Sequence, residues 1–531
     1  MFEKMDANQR VILAIVLSLG VFLIYDYFFM PKPQKNQTQT AIEQNLSAPA
    51  VQSGEKPETS KRIEGSYESA PVSTQRSSGK ELVKIESEHF TISIDDYGRI
   101  SQVMLKDSRF VTESGEHIEL FADDKLPKAL EIRFSDEKLN EEAFKTPYVC
   151  DTRDIKIDKE PVTLRLKQSL SKVEVEKIIK IYPDGHYELK VDLSEDKRYY
   201  ISPGYRPDVR VDGYTFHGVL IKEADNTITM IDDGDAKGIE SFRKAKIAAA
   251  VDRYYTTFFY DLQKGLNVVI SKDKEENPII FVEGEKSFEV KGYLGPKDYR
   301  VLKSINPELT DVIEYGFFTF IAKPMFKILL AIYEYIGNWG WAIVVLTIFI
   351  RILLFPLTWK GMVSMQKLKD LAPKIKEIQQ KYKGDPQKMN AHMMQLYKKH
   401  GANPMGGCLP LLLQIPVFFA IYRVLLNAIE LKGAPWILWI KDLSVMDPYF
   451  ILPILMGVTM YIHQKITPTT ITDPIQQKIF QYLPIVFTFF FVTFPAGLTL
   501  YWFVNNVLSI IQQLIVNKAF ESRKTAQKDE K

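Results

Sequence analysis

The chain has 531 residues, 46% hydrophobic and 25% charged, with a formal net charge of only +2. That balance gives no bulk attraction for DNA. Two cysteines exclude a disulfide framework, and seven scattered histidines form no metal-ligand motif. No cofactor-binding motif or small-molecule site stands out, and the average hides a sharp segregation of apolar from polar segments.

Residues 1–30 carry Lys4 and Arg10 followed by an apolar run from Val11 to Met30. The run is long enough to span a bilayer and lacks a small-residue cleavage site, so an uncleaved transmembrane anchor is expected. Residues 31–80 are rich in Gln, Ser, Thr, Pro, Lys and Glu and read as a disordered linker.

Between residues 81 and 315 the period changes to two. Phe90, Ile92 and Ile94 alternate with polar residues, as do Val173, Val175, Lys177, Ile179 and Ile181. Pro183-Asp184-Gly185 then turns the chain into Tyr187, Leu189, Val191 and Leu193, a hairpin with its turn chemistry in place. Many short strands predict a large antiparallel β-sandwich. No nucleophile motif, carboxylate pair or phosphate loop marks it as catalytic, so scaffolding or partner docking is its expected role.

Residues 316–337 are apolar but include Lys323, Lys327 and Glu334 with Pro324, which predicts an amphipathic helix lying in the membrane interface. Residues 338–517 hold five candidate spans: Trp341 to Trp359, Leu409 to Ile429, Tyr449 to Lys465, Ile479 to Phe494, and Leu498 to Val516. With the anchor, this predicts a polytopic α-helical membrane protein of six spans carrying a large extracytoplasmic domain.

Within this region, residues 360–403 contain ten lysines against Asp370, Glu377 and Asp385. The positive-inside rule makes that segment cytoplasmic, places both termini there and puts the sandwich outside. Apolar residues at spacings of three and four flank Gly384-Asp385-Pro386, so the segment reads as an antiparallel coiled-coil helical hairpin. Its lysines, among them Lys367, Lys369, Lys374, Lys376, Lys381, Lys383 and Lys388, either enforce topology or form a basic arm. Such an arm would meet ribosomal RNA, anionic lipid or an emerging chain. Residues 518–531 form a short, mildly basic tail.

One charge stands out. Arg351 lies deep in WAIVVLTIFIRILLFPLT, where a guanidinium costs roughly 2.5–3.5 kcal/mol on an insertion scale. Thr347 shares its helical face, Gln414 interrupts the next apolar run, and Tyr501, Asn505, Ser509 and Gln512 make a polar stripe along the last span. Together these would line a wet cavity holding Arg351, with no acidic partner built into the spans. Bonding between helices is the alternative use of the Thr and Gln groups, and snorkelling the alternative for the arginine.

Asn403-Pro404-Met405-Gly406-Gly407-Cys408-Leu409-Pro410 with Gln414-Ile415-Pro416-Val417-Phe418 resembles a signature of the YidC/Oxa-type membrane-protein insertases. So do Phe349-Ile350-Arg351 leading to Phe355-Pro356-Leu357-Thr358, the Pro468 to Pro474 loop, and Pro495-Ala496-Gly497-Leu498-Thr499-Leu500-Tyr501-Trp502. The anchor, the outer domain and Gly292-Tyr293-Leu294-Gly295-Pro296 are similar to the form found in bacteria with two membranes.

This resemblance implies an insertase and chaperone of the bacterial inner membrane, with the sandwich in the periplasm and no catalytic chemistry. It implies a hydrophilic groove open to cytoplasm and lipid, centred on Arg351, with Trp502 where the family often has Tyr. Nascent membrane proteins, the Sec translocon, the ribosome and the lipid bilayer are the partners it implies. From the residues alone, a transporter for an anionic solute and a structural anchor are the rival readings.

Overall fold

The computed structural model describes residues 79–112, 115–121, 127–209, 215–401, 409–468 and 474–529. The expected anchor, the linker up to residue 78, the Asn403–Cys408 motif and residues 469–473 of the second signature loop lie outside them. The described chain divides into two units, one ending at Glu314 and one beginning at Tyr315.

Alternating side chains build the first unit, because a strand presents successive residues to opposite faces. The expected hairpin is present as Glu174–Ile181 and His186–Leu193, each burying every second residue. Gly185 at its turn has φ +88°, the left-handed conformation such a turn requires. These strands belong to an eight-stranded antiparallel sheet. Its order is Ile228–Asp232, Gly218–Lys222, Ile247–Val251, Tyr255–Tyr260, Ser287–Pro296, His186–Leu193, Glu174–Ile181, Val162–Ser169.

A five-stranded antiparallel sheet contains Glu240–Ala245, Leu266–Lys272, Pro278–Gly284, Tyr199–Ile201 and Ile132–Phe134. It packs through Pro278–Gly284 against Gly218–Lys222 and Ile247–Val251 of the larger sheet. Ile247–Val251 and Tyr255–Tyr260, at the middle of the larger sheet, are buried on both faces. One pairing departs from the antiparallel expectation. Glu81–Glu86 runs parallel to Asp154–Lys156 in a third, four-stranded sheet, because the long excursion between them brings the chain back in the same direction. Two short helices, α1 (Glu137–Ala143) and α2 (Tyr299–Ile305), complete the unit.

A charged cluster crosses this β core. Arg99 bonds Asp95 at 2.7 Å and Glu131 at 3.0 Å, and Arg133 bonds Glu131 at 2.7 Å, all four being buried. Burial pushes the Glu131 carboxyl up, but Arg133 and Arg99 outweigh it and hold the group below the usual carboxylate range. Lys177, fully buried, donates 2.8 Å bonds to the carbonyls of Gly98 and Leu130. The cluster ties strands of all three sheets together.

The second unit is helical. α3 (Thr319–Ile336) buries Ala322, Met325, Phe326, Leu329 and Leu330, one face at helical spacing. α4 (Trp339–Lys381) is a single 43-residue helix that runs from the Arg351 segment straight into the basic arm. α5 (Pro386–His400) folds back along it, capped by Asp385, which accepts from the Lys388 amide at 3.0 Å. Leu368, Leu371 and Ile375 are buried there against Met365, Met393, Leu396 and Tyr397.

The remaining helices are α6 (Leu409–Asn427), α7 (Ile451–Ile466), α8 (Pro474–Phe491) and α9 (Ala496–Asp529). α9 differs from expectation by continuing through the anticipated tail. Nothing in its sequence from Val516 onward, neither proline nor glycine, stops a helix. Among the described residues, α4 and α9 are long and apolar enough to cross a membrane, and Leu413–Asn427 of α6 is a shorter apolar helix.

Residues 428–450, between α6 and α7, are tied down at several points. Asn338 caps α4 and donates to the carbonyls of Pro435 and Trp436 at 3.3 and 3.2 Å. Gly340 lies so close to Trp436 that a Cβ would sit 2.2 Å from the indole, which explains the absence of a side chain there. The Ala496 and Gly497 amides bond the carbonyls of Val445 and Leu443, pinning the start of α9 to this loop.

Replacing Glu131 with Gln removes the carboxylate that Arg99 and Arg133 share. A buried pair broken on one side costs about 3–5 kcal/mol. We expect a lower unfolding temperature for the purified full-length chain; an unchanged value would show that the cluster does not hold the sheets together.

Candidate functional site

Arg351 sits on α4 where that helix packs against α9. Its Nε donates to Asn505 Oδ1 at 2.8 Å, and its Nη2 donates to the Asn505 carbonyl at 3.1 Å and to Ser509 Oγ. Nη1 reaches Gln512 Oε1 at 3.5 Å. These three partners follow one face of α9 at spacings of four and three, so the helix presents them as a preformed ladder. Every acceptor is neutral. Among the described residues no carboxylate pairs with the guanidinium, so its charge is solvated by dipoles but not cancelled.

The ladder extends toward the C-terminal end of α9. Gln512 Nε2 donates to Thr358 Oγ1 at 2.5 Å, and Gln513 Nε2 donates to Asn517 Oδ1 at 2.7 Å. Gln366 also donates to Asn517, whose own Nδ2 donates to the Ile466 carbonyl at 3.3 Å. Asn505 to Asn517 spans about 18 Å along a helix, so polar groups continue from Arg351 to the root of the basic arm.

The other expected site residues separate into groups. Tyr501 is buried and within electrostatic range of Arg351. Thr347 is buried with its hydroxyl donating to the Ile343 carbonyl of its own helix at 2.7 Å. Gln414 is half-buried on α6. Trp502 packs among Phe418, Phe487 and Phe491, with centroids at 4.6, 6.3 and 5.2 Å, so it stands in an aromatic cluster beside the ladder. Lys367, Lys369, Lys374, Lys376, Lys381, Lys383 and Lys388 are all exposed on the α4–α5 arm, and Lys388 forms an ion pair with Asp385 at 3.1 Å.

The Arg351 side chain crosses onto α9, where it makes its hydrogen bonds. Sequence reasoning missed Arg423, a second arginine within an apolar helix, buried near the C-terminal end of α6 with Asn427 and Glu430 also buried nearby in sequence. The same criterion that exposes Arg351, a charge inside an apolar run, finds it. Thr358, Gln366, His463 and Asn517 were also missed, because each stands at a span edge where polar residues are ordinary.

The outward faces of these helices are apolar. Ile352, Leu353, Ile485, Val486 and Phe489 are among the exposed large side chains, which suits contact with lipid rather than water.

Two family models match the chain. "60Kd inner membrane protein" covers residues 331–524, and "YidC periplasmic domain" covers residues 242–328. A protein of Campylobacter jejuni named "Membrane protein insertase YidC" is 55% identical over 97% of this chain and 96% of its own length. Proteins of the same name from Wolinella succinogenes and Helicobacter pylori are 54% and 49% identical, over 99% and 98% of this chain and 97% and 98% of their own lengths.

Replacing Asn505 with Leu removes the acceptor of the Arg351 Nε proton and should destabilise the helical unit by about 1.5–3 kcal/mol. Unfolding of the detergent-solubilised chain by added denaturing detergent reads this as an earlier transition. A transition at the wild-type position would mean the guanidinium does not depend on that acceptor.

Proposed function

Because this chain belongs to the YidC family of membrane protein insertases and is an inner-membrane protein with a periplasmic domain, we propose that Arg351 is the receptor for the polar flank of each inserting segment. A charged or polar flank cannot cross hydrocarbon unaided, since its desolvation costs several kcal/mol. A guanidinium held by neutral acceptors lowers that barrier most for an acidic flank, because its field is uncancelled in a low-dielectric setting. The polar ladder of α9 supplies further hydrogen bonds along the route.

The apolar part of the substrate then leaves sideways between α4, α6 and α8 into lipid. Burial of its side chains in hydrocarbon drives the step, about 25 cal/mol per Å² of apolar area. The observation that carries this reading is the Arg351 seat: a permanent charge in an apolar helix, bonded to Asn505, Ser509 and Gln512 and paired with no carboxylate among the described residues.

The wider arrangement belongs to the same proposal. Six spans place both termini and the α4–α5 arm in the cytoplasm, in agreement with the excess of lysine there. The exposed lysines of the arm receive the emerging chain near the ribosome, and the Sec translocon hands over or shares substrates. The half-buried amphipathic α3, with Lys323 and Lys327, lies in the interface.

The test compares substrates that differ only in the outer flank. Arg351→Ala should reduce insertion of acidic-flanked segments about tenfold, the loss of one charged hydrogen bond worth roughly 1.5 kcal/mol, with neutral-flanked segments little changed. Equal insertion of acidic-flanked segments by wild type and variant would refute the receptor role.

A further inference from the structure

His463 is a titratable side chain among these helices that the Arg351 seat does not use. It lies on α7, half-buried, and its Nε2 is shielded from solvent with no hydrogen-bond partner among the described residues. A buried imidazole nitrogen left unbonded is costly, and such groups in native proteins call for an explanation.

The register of the helices shows where the ring stands. Asn506 of α9 donates to the Met456 carbonyl of α7 at 3.3 Å, and Asn517 donates to the Ile466 carbonyl at 3.3 Å. Eleven residues on α9 thus match ten on α7, so the two helices run side by side in the same direction. His463 falls at the level of Gln513 and Leu514, just past Gln512 at the lower end of the Arg351 seat. It is also within the electrostatic reach of Arg351. Close contact of α7 with α8 fixes its position from the other side: Gly457 approaches Thr488 so closely that a Cβ would lie 1.9 Å from its hydroxyl.

Arg351 itself keeps capacity for a visitor. Of its five N–H donors, the bonds to Asn505 and Ser509 occupy Nε and Nη2, while Nη1 makes one long contact at 3.5 Å with Gln512. We propose that Arg351 Nη1 and His463 Nε2 form a two-point receptor for a substrate carboxylate, His463 being a specificity-determining residue that selects acidic over neutral flanks. The carboxylate would take one hydrogen bond from the guanidinium and one from the imidazole Nε2–H, a neutral donor requiring no change of charge. Two donors supplied by different helices would fix the orientation of a carboxylate better than one. This rests on the receptor role given to Arg351 above.

The experiment uses the full-length chain in membrane vesicles and a pair of substrates differing only in an outer-flank Asp or Asn. His463→Leu should lower insertion of the Asp substrate several-fold and leave the Asn substrate unchanged. His463→Gln, which keeps a donor at a similar reach, should restore most of the loss. Arg351→Ala is run alongside. If Arg351→Ala impairs the Asp substrate and His463→Leu does not, this inference fails while the Arg351 receptor stands. If neither impairs it, both fail. If His463→Leu impairs both substrates alike, the residue is structural and the selectivity claim is overturned.

Discussion

A cation in an apolar helix, solvated by neutral dipoles, is the constraint around which the helical unit is organised. Desolvating a guanidinium is costly, and the usual remedy is an acidic partner. Here the remedy is a row of amide and hydroxyl oxygens on α9, together with one backbone carbonyl. A carboxylate partner would have cancelled the field of Arg351 and left a stable, inert ion pair. Neutral acceptors stabilise the charge while preserving its attraction for an anion. The spacing of Asn505, Ser509 and Gln512 follows directly, since only positions three and four apart share a helix face.

The same logic reaches the rest of the unit. α9 must stay in register with α4 and α7 for the ladder to meet its partners, and its start is held by the Val445 and Leu443 carbonyls. Close approach at Gly340 and at Gly457 sets α4 and α7 against their neighbours. The β-rich unit solves its own buried-charge problem differently. There Arg99 and Arg133 are matched by the carboxylates of Asp95 and Glu131, which makes a cross-brace within the β core.

Much of this was legible in the residues. The β-hairpin around Gly185, the turn at Gly384-Asp385-Pro386 and the polar stripe from Asn505 to Gln512 each follow from local spacing or turn chemistry. The seating of Arg351 on that stripe was not legible, because a sequence gives faces of helices but not which faces meet. Thr347 shows the same limit: four residues from Arg351 and on its face, yet turned back onto the Ile343 carbonyl. The parallel pairing of Glu81–Glu86 with Asp154–Lys156 was invisible for a related reason, since it joins segments far apart in sequence. The length of α9 could have been read, because no breaker stands beyond Val516.

The most direct measurement of the central claim is site-specific cross-linking from a stalled nascent chain whose acidic outer flank carries the photoreactive group. Adducts should form on α9 around Asn505 and Ser509, and should disappear when the flank is made neutral or when Arg351 is replaced by alanine. Adducts on α9 that persist unchanged without the acidic flank and without the guanidinium would contradict the account.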